Sequence, residues 1–408
     1  MITHSARMVE TVAGGVATPL GFRAAGRYVG IKAPGRGLDL ALIVSDRPAT
    51  AAAVFTLNRA QAAPVLVSKE HLAASSGTAT AVIVNSGCAN ACTGEAGLQD
   101  AHEMARLTAS LVECPVEQVL VASTGVIGVN LKMDKIREGL GPTFATLAAD
   151  QGPAAARAIM TTDPFPKEAA ARLRINDATV TIGGMCKGSG MIEPMMATML
   201  GFVTTDAAVP QALLARALRD AVDDTFNAIT VDGECSTNDC VMILANGASG
   251  VTIDDQSYDI FAEALKAVCL PLAMAIVRGG EGATKLVTVN VTGARSVEDA
   301  RRCAKAIANS LLVKTAIHGG DPNWGRLIAV AGRAGVAFEL ERAEVTIGPI
   351  VLFKNGRPYD DAAPEAANYL KHTEVSVGVD LGVGPESSTV WTCDLSADYV
   401  RINADYRT

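Results

Sequence analysis

Aromatic side chains are scarce in this sequence of 408 residues. Its 2 Trp, 6 Tyr and 9 Phe make up only 4% of the chain, which also contains 38 Gly and 17 Pro. Proteins that bind single-stranded nucleic acids stack bases on exposed rings, so this composition disfavours that class. Because hydrophobic residues still account for 49% of the chain, we expect a folded protein whose interior consists of Ala, Val, Leu and Ile.

The sequence also has few basic residues relative to acidic ones and no long apolar run. The 35 basic residues are outnumbered by 43 acidic ones, and the net charge of −8 disfavours a nucleic-acid or anionic-membrane partner. No uninterrupted apolar run approaches the roughly 18 residues of a membrane span, and residues 1–8 lack the apolar core of a signal peptide. The nine cysteines include no C-x-x-C pair, which favours free thiols. These features predict a cytoplasmic protein.

Most standard catalytic signatures are missing. The sequence has no G-x-x-x-x-G-K-[ST] phosphate loop, no G-x-G-x-x-G after a strand and no G-x-S-x-G nucleophile elbow. His102-Glu103 begins a metalloprotease motif, but Arg106 stands where the second histidine is needed. The five histidines are widely spaced, so the sequence predicts no metal site and supports no Ser-His-Asp triad.

What is present is an alternation of strand-like and helix-like segments, which predicts a mixed α/β protein. Strands are predicted at residues 38–45, 79–85, 118–122 and 178–182. The last three lead into segments rich in small residues that begin at Asn85, Ser123 and Gly183, and we expect them to be loops of the kind that carry functional sites. Amphipathic spacing predicts a helix after Pro210, and a second helix is predicted at 259–277, bent or interrupted near Pro271.

The pattern changes after about residue 282. Val287, Val289 and Val291 alternate with polar residues and predict a half-exposed strand. A helix is predicted at 296–313, a hairpin at Asn355-Gly356 and another strand at 374–380. We therefore predict a larger sandwich-like part at 1–283 and a smaller α/β domain at 284–400, followed by a polar tail at 401–408.

One segment, residues 183–206, is unusually dense in glycine around a single lysine. Four of the eight residues from Gly183 to Gly190 are glycine, Lys187 lies among them, and Pro194 and Thr198 follow. Glycine allows close backbone approach and positive φ. Taken alone, such a segment is typical of an ordinary glycine-rich loop that leads into a buried strand.

The motif Lys187-Gly-Ser-Gly-Met-Ile-x-Pro-x-Met-Ala-Thr198-Met-Leu resembles the autocleavage motif of the ornithine acetyltransferase family, which are self-processing glutamate N-acetyltransferases of arginine biosynthesis. Two positions, Glu193 and Met195, depart from the family pattern. Other segments that resemble family signatures run in order along the chain: 85–94, 123–128, 159–163, 231–239, 281–285, 313–316, 321–326 and 402–408.

The resemblance implies an αββα-type sandwich with an N-terminal nucleophile, plus the smaller C-terminal domain. It also implies cleavage between Ala197 and Thr198, which would give chains 1–197 and 198–408, with two copies of each in the assembly. The polar tail would return to the active site.

The implied reaction is a ping-pong acetyl transfer from N2-acetylornithine to glutamate through an acetyl ester on Thr198. A Thr hydroxyl needs a base, and the α-amine that cleavage would free has a reference pKa of about 7.7–8.0, which suits that task. No metal or cofactor is implied, although some relatives also use acetyl-CoA as a co-substrate.

The resemblance also assigns roles to single residues. Thr124 and Gly125 match the positions that bind the oxyanion. The substrate-binding positions are matched by Thr161, Lys187, Thr198, Glu281, Asn403 and Thr408. The Asn238-Asp239 pair matches the family without a role that the residues themselves indicate.

Two alternatives remain open from the sequence. An autoproteolytic aminopeptidase or amidase would use the same nucleophile but would release the acyl group to water. A non-enzymatic binding protein on the same scaffold would not be cleaved at all.

Overall fold

The computed structural model describes residues 9–175, 177–193 and 199–405. Every structural statement below refers to these three ranges.

The N-terminal part is built on one nine-stranded mixed sheet. Its strands are β1 (Val9–Val12), β2 (Phe22–Arg27), β3 (Leu40–Phe55), β4 (Thr78–Cys88), β5 (Val119–Val126), β6 (Lys167–Ile175), β7 (Ala178–Lys187), β8 (Leu200–Thr205) and β9 (Cys240–Ala245). They are hydrogen-bonded in the order β1-β6-β7-β8-β9-β3-β4-β5, with β2 also paired to β3. The helices of this part are α1 (Ala63–Ala74), α2 (Gly94–Val112), α3 (Met133–Phe144), α4 (Gly152–Ala158), α5 (Gln211–Asp224) and α6 (Tyr258–Arg278).

The long strand β3 joins the two halves of this sheet. Its first half pairs with β2 and β4, and its second half, residues 50–55, pairs with β9. Side chains from both halves, such as Phe22, Met185 and Phe202, form one inner core. Helices α5 and α6 cover the outer face of strands β6–β9, and helices α1–α3 cover the outer face of strands β2–β5. The α/β class is confirmed. The two halves of the one sheet enclose the inner core, and helices cover the outer face of each half.

The C-terminal part has its own six-stranded sheet and core. Its strands are β10 (Leu286–Ala294), β11 (Glu344–Ile347), β12 (Ile350–Lys354), β13 (Arg357–Pro358), β14 (Glu374–Asp380) and β15 (Glu386–Cys393), in the order β13-β12-β11-β14-β10-β15. The helices are α7 (Val297–Ala308), α8 (Leu311–Gly319), α9 (Trp324–Arg333), α10 (Ala363–Tyr369) and α11 (Ala397–Asp405).

The alternating pattern of β10 is confirmed, because Val287, Val289 and Val291 are all fully buried. The prediction of a single helix at 296–313 is wrong. The structure has two helices there, since the Ser310 hydroxyl accepts a hydrogen bond from the backbone N–H of Val313 and starts a new helix. Such a side-chain cap satisfies a free N–H group of the first turn.

The segments that were expected to be loops after the predicted strands are part of the strands in the structure. β4, β5 and β7 run on through Cys88, Val126 and Lys187, so Asn85, Thr124 and Gly183 lie inside strands. Glycine permits this at the junction of β4 and β5. Gly125 has φ +129°, and a Cβ there would lie 2.4 Å from the carbonyl carbon of Gly87.

Helix α6 continues without interruption past Pro271. Among the described residues it is the one helix that length and composition would allow to cross a membrane. In this structure it packs against α5, β6 and β7, and its buried side chains belong to the core of the N-terminal part.

Candidate active site

A cavity opens where the ends of β5 and β7 meet the loop before β9 and the C-terminal helix α11. Lys187 lies at the end of β7, and Glu281 follows α6. The cavity is lined by residues from widely separated parts of the chain: Ala89, Thr124, Gly125, Ile127, Thr161, Thr162, Lys187, Gly190, Met191, Met199, Leu200, Asp232, Glu234, Ser236, Asn238, Asp239, Glu281, Tyr399 and Asn403. The structure thus brings together Thr124, Gly125, Thr161, Lys187, Glu281 and Asn403, which the sequence predicted as site residues.

Asn85 and Asn238 fix the end of β5, where Thr124 and Gly125 lie. The Ser123 hydroxyl donates to the Asn85 side chain at 2.6 Å. The Asn238 amide donates to the carbonyls of Ser123 at 2.9 Å and Ala89 at 2.6 Å. These hydrogen bonds hold the strand end against β4, so that Thr124 borders the cavity in a defined place.

A buried charge network lies behind Lys187. The Asp163 carboxylate accepts from Nζ of Lys167 at 2.6 Å, from the Gly188 N–H at 2.7 Å and from the Thr161 N–H at 2.9 Å. Burial raises the pKa of Asp163, but the positive charges of Lys187 and Lys167 outweigh it and lower the pKa to about 2. Asp163 is therefore ionised and fixes the backbone on both sides of the cavity.

The Lys187 ammonium group itself points to the cavity side of this network. Its Nζ donates to the Thr124 hydroxyl oxygen at 3.3 Å, and both residues are buried. The accepting Thr124 hydroxyl keeps its own proton, which it can donate to an oxygen atom in the cavity.

Glu281 and Asn403 form another part of the cavity lining. The backbone N–H of Glu281 donates to the Ser189 carbonyl at 3.0 Å, and the Asn403 amide donates to Glu281 Oε2 at 2.8 Å. Gly190 lies against them, and a Cβ there would be 2.3 Å from Glu281 Oε2, so a larger residue would displace this carboxylate. Helix α11 brings Tyr399 and Asn403 to the cavity; the predicted return of the whole tail at 401–408 stays a prediction, because its last three residues lie outside the described residues.

Asp232 holds the described segment that precedes the predicted cleavage site. Its carboxylate accepts from the backbone N–H groups of Met191 at 2.7 Å and Ile192 at 2.8 Å. The Tyr399 hydroxyl of α11 donates to the same carboxylate at 3.3 Å. Burial raises the pKa of Tyr399, and the nearby Asp232 charge raises it further, so the phenol stays protonated.

Glu193, which departs from the family pattern, contacts the C-terminal part. Its carboxylate accepts from the Asn309 amide at 3.0 Å and lies 3.5 Å from Nζ of Lys305. Burial lowers the pKa of Lys305, and the charge of Glu193 partly offsets this. The Glu193 carboxylate thus links its segment to the C-terminal end of helix α7 by a hydrogen bond and an ion pair.

Three predicted site residues, Ala197, Thr198 and Thr408, lie outside the described residues, as does Met195. The described chain on either side of the predicted cleavage site reaches the cavity at Met191 and at Met199. The cleavage itself and the roles of these residues stay predictions.

Sequence reasoning assigned no role to Asp163 or Asp232. Both lie in segments that resemble family signatures, so the signal was present. However, the contact of Asp163 with Gly188 and the contacts of Asp232 with Met191, Ile192 and Tyr399 join residues that are distant in sequence. Among the described residues, no group of three or more His, Cys, Asp or Glu side chains could hold a metal ion.

A sequence model of the ArgJ family matches residues 23–408. The chain belongs to the ArgJ family. Among curated ArgJ proteins, the arginine biosynthesis bifunctional protein of Symbiobacterium thermophilum is 51% identical, over 98% of this chain and 100% of that protein. The protein of the same name from Geobacillus kaustophilus is 46% identical, over 99% of both chains.

One solved structure is also similar to part of this chain. Ornithine acetyltransferase from Mycobacterium tuberculosis, in complex with ornithine, is 43% identical, with a TM-score of 0.43. The similarity covers 46% of this chain and 100% of that one.

Proposed function

We propose that this ArgJ-family chain is a glutamate N-acetyltransferase that moves the acetyl group of N2-acetyl-L-ornithine to L-glutamate. One observation carries the proposal. Thr124, Lys187 and Glu281, which lie far apart in sequence, line one cavity, and the described chain reaches that cavity on both sides of the Ala197–Thr198 bond. Membership of the ArgJ family over residues 23–408 supports the same reaction.

The nucleophile in this proposal is the hydroxyl of Thr198. The hydroxyl attacks the Ala197 carbonyl, the C–N bond breaks, and water then opens the resulting ester to leave Thr198 as a new N-terminus. In turnover, the freed α-amine takes the proton of the hydroxyl, and the hydroxyl oxygen attacks the acetyl carbonyl. Ornithine leaves as the amine, and glutamate then takes the acetyl group from the Thr198 ester.

The oxyanion formed in each step is stabilised by Thr124 and Gly125. A side-chain hydroxyl and a backbone N–H are suitable donors, and they are fixed in place by the end of β5. Donors of this kind act strongly when they are already oriented before charge develops.

The substrates are zwitterions, and the cavity lining carries side chains of both charges. Lys187 is placed to bind a carboxylate, and Glu281 with Asn403 is placed to bind an ammonium group. Thr161 supplies a further polar contact, and Thr408 is assigned to the same task by the family resemblance.

The assembly and cellular location in this proposal follow the family. The two fragments, 1–197 and 198–408, stay associated with two copies of each, in the cytoplasm. No cofactor is required for this transfer. Acetyl-CoA is proposed as a second acetyl donor, in line with the bifunctional names of the relatives.

Incubation of the purified protein with acetylornithine and glutamate tests the reaction. Formation of N-acetylglutamate and ornithine in equal amounts is expected. Free acetate without acetylglutamate would instead support the hydrolase alternative. A parallel reaction with acetyl-CoA and glutamate decides whether the second donor is used.

A further inference from the structure

Lys32 lies in the segment between β2 and β3 and reaches a part of the chain that carries a predicted substrate-binding residue. Its ammonium group donates to the backbone carbonyls of Leu38 at 2.6 Å and Met160 at 2.7 Å. Met160 directly precedes Thr161, which lines the cavity, whereas Lys32 is not part of the cavity lining. The Lys32 side chain therefore holds a cavity segment from behind.

The backbone from which Lys32 extends is itself fixed. The fully buried Asp39 carboxylate accepts hydrogen bonds from three backbone N–H groups of the segment: Val29 at 2.6 Å, Gly30 at 3.1 Å and Lys32 at 3.0 Å. Because hydrogen bonds to a charged acceptor are stronger than neutral ones, this segment gives the Lys32 side chain a defined origin.

The aliphatic part of Lys32 packs on β4 next to the predicted oxyanion residue. A Cβ at Gly87 would lie 2.8 Å from Cγ of Lys32, and Gly87 is paired with Gly125 in the ladder of β4 and β5. One side chain thus contacts the strand pair that carries Gly125 and, through its ammonium group, the segment that carries Thr161.

The surroundings make the charge of Lys32 sensitive to pH. Burial lowers the pKa of Lys32 to about 8, although the negative charges of Asp39 and Asp163 raise it, and the positive charge of Lys187 lowers it further. Among the described residues, the charged and titratable side chains around this segment are two anions, three cations and one phenol: Asp39, Asp163, Lys132, Lys135, Lys187 and Tyr28.

We propose that Lys32 is a positioning residue for acetyl transfer, whose ammonium group holds the Met160 carbonyl and so keeps Thr161 in place to contact the acetylated substrate. This inference rests on the proposed function, since it takes Thr161 to be a substrate-binding residue. Lys32 itself does not touch the substrate. A charged donor forms a stronger hydrogen bond than a neutral one, so the Met160 carbonyl is held firmly only while Lys32 is protonated.

The sign of the pH effect follows from this charge. The ammonium form of Lys32 prevails below about pH 8, so kcat/KM for acetylornithine should have an alkaline limb as Lys32 loses its proton. Arginine stays charged throughout this range, and Lys32→Arg should therefore lack that limb. Titrations common to both proteins, such as that of the proposed Thr198 amine, cancel in the ratio of their kcat/KM values.

The first test measures ornithine release from acetylornithine, with glutamate present, at pH 7 and pH 9 in the wild-type protein and in Lys32→Arg. We expect the wild-type to Lys32→Arg ratio of kcat/KM to fall about fivefold between these pH values. That is the value for a group with a pKa of about 8 whose neutral form is about tenfold less effective. A ratio that stays constant would overturn the proposal.

The second test removes the ammonium group at pH 7. Lys32→Met keeps the aliphatic stem that packs on Gly87, and kcat/KM should fall about tenfold. Lys132→Met is the matched control, because Lys132 also donates to a carbonyl of the same segment, that of Ile31 at 2.8 Å, rather than to Met160. Lys132→Met should keep the wild-type kcat/KM. An equal fall in both variants would assign the effect to the stability of the segment and overturn the positioning role.

Failure of this inference can be told apart from failure of the proposed function. Ornithine is released in both transfer and hydrolysis, whereas acetylglutamate forms only in transfer. A wild-type protein that releases ornithine without acetylglutamate refutes the transferase and leaves the comparison of the variants decisive. A wild-type protein that releases no ornithine refutes both. An active transferase with a constant wild-type to Lys32→Arg ratio refutes only the role of Lys32, and this comparison stands even if Lys32→Met does not fold.

Discussion

Lys187 shows how a buried charge can remain available for a substrate. Its positive charge is partly balanced by the Asp163 carboxylate, which is also paired with the fully buried Lys167. Two buried cations thus share one carboxylate in the described structure, so a second anion is favourable near Lys187. A substrate carboxylate would supply that anion.

At the residue scale, Thr124→Val tests the oxyanion assignment. Valine keeps the branched shape but lacks the hydroxyl, so the transition state loses one donor and kcat for acetyl transfer should fall about 100- to 1,000-fold. Steady-state assays with acetylornithine and glutamate measure this. Thr179→Val, at an exposed position of β7, is the matched control and should leave kcat for acetyl transfer unchanged. An unchanged kcat in Thr124→Val would refute the assignment.

Asp163→Asn should destabilise the fold. The substitution leaves Lys167 buried without its counter-ion, and removing one partner of a buried ion pair costs about 3–5 kcal/mol. Urea unfolding at neutral pH measures the loss. The exposed Asp177, which lies 3.7 Å from Arg174, offers the control Asp177→Asn, which should change stability little.

The same pair also sets an acid dependence of stability. The pKa of Asp163 is about 2 in the folded protein and about 3.9 when unfolded. The contribution of ionised Asp163 to the free energy of unfolding is therefore complete above the unfolded pKa. It is lost as the pH falls from about 4 towards 2. Asp163→Asn should lack this part of the acid dependence; an identical pH dependence in both proteins would show that the pair does not titrate as described.

At the scale of elements, α11 closes the site. Asn403 of this helix donates a hydrogen bond to Glu281, and Tyr399 donates one to Asp232. All four residues line the cavity. The end of the chain therefore positions the carboxylate that is proposed to bind the substrate's ammonium group.

Asn403→Ala should raise KM for acetylornithine with little change in kcat. Glu281 loses a charge-assisted hydrogen bond worth about 1.5–3 kcal/mol, which corresponds to about tenfold or more in affinity. Arg401→Ala on the same helix is the control, since Arg401 bonds to Asp398 at an exposed position. A fall in kcat at constant KM would contradict a binding role for Asn403.

At the scale of the whole molecule, local patterns predicted local structure well. The alternating valines of β10 and the amphipathic α5 follow from side-chain periodicity, and both are present. The split between α7 and α8 was missed because the apolar pattern continues across the cap at Ser310. The lengths of β5 and β7 were missed because their glycines are typical of loops, although here they allow close strand packing.

The site was predictable in its residues and not in its geometry. Family resemblance pointed to Thr124, Lys187, Glu281 and Asn403, and the fold brings them to one cavity. The supporting contacts could not be predicted, because each joins residues that are distant in sequence and that only the fold brings together. They are the contacts of Asp163 with Gly188, Asp232 with Tyr399, and Asn238 with Ser123. Of the 38 glycines, those at 125 and 190 are now explained by close contacts in the site.

In the proposed mechanism, Thr198 becomes an N-terminal nucleophile that carries the acetyl group. This is measured by denaturing mass spectrometry of the purified protein, before and after addition of acetylornithine. We expect fragments 1–197 and 198–408, with the mass of one acetyl group added to the second fragment and lost again when glutamate is supplied. Thr198→Ala should remain a single chain of 42.1 kDa without acetyl. An uncut wild-type chain, or a cut chain that never gains the acetyl group, would contradict it.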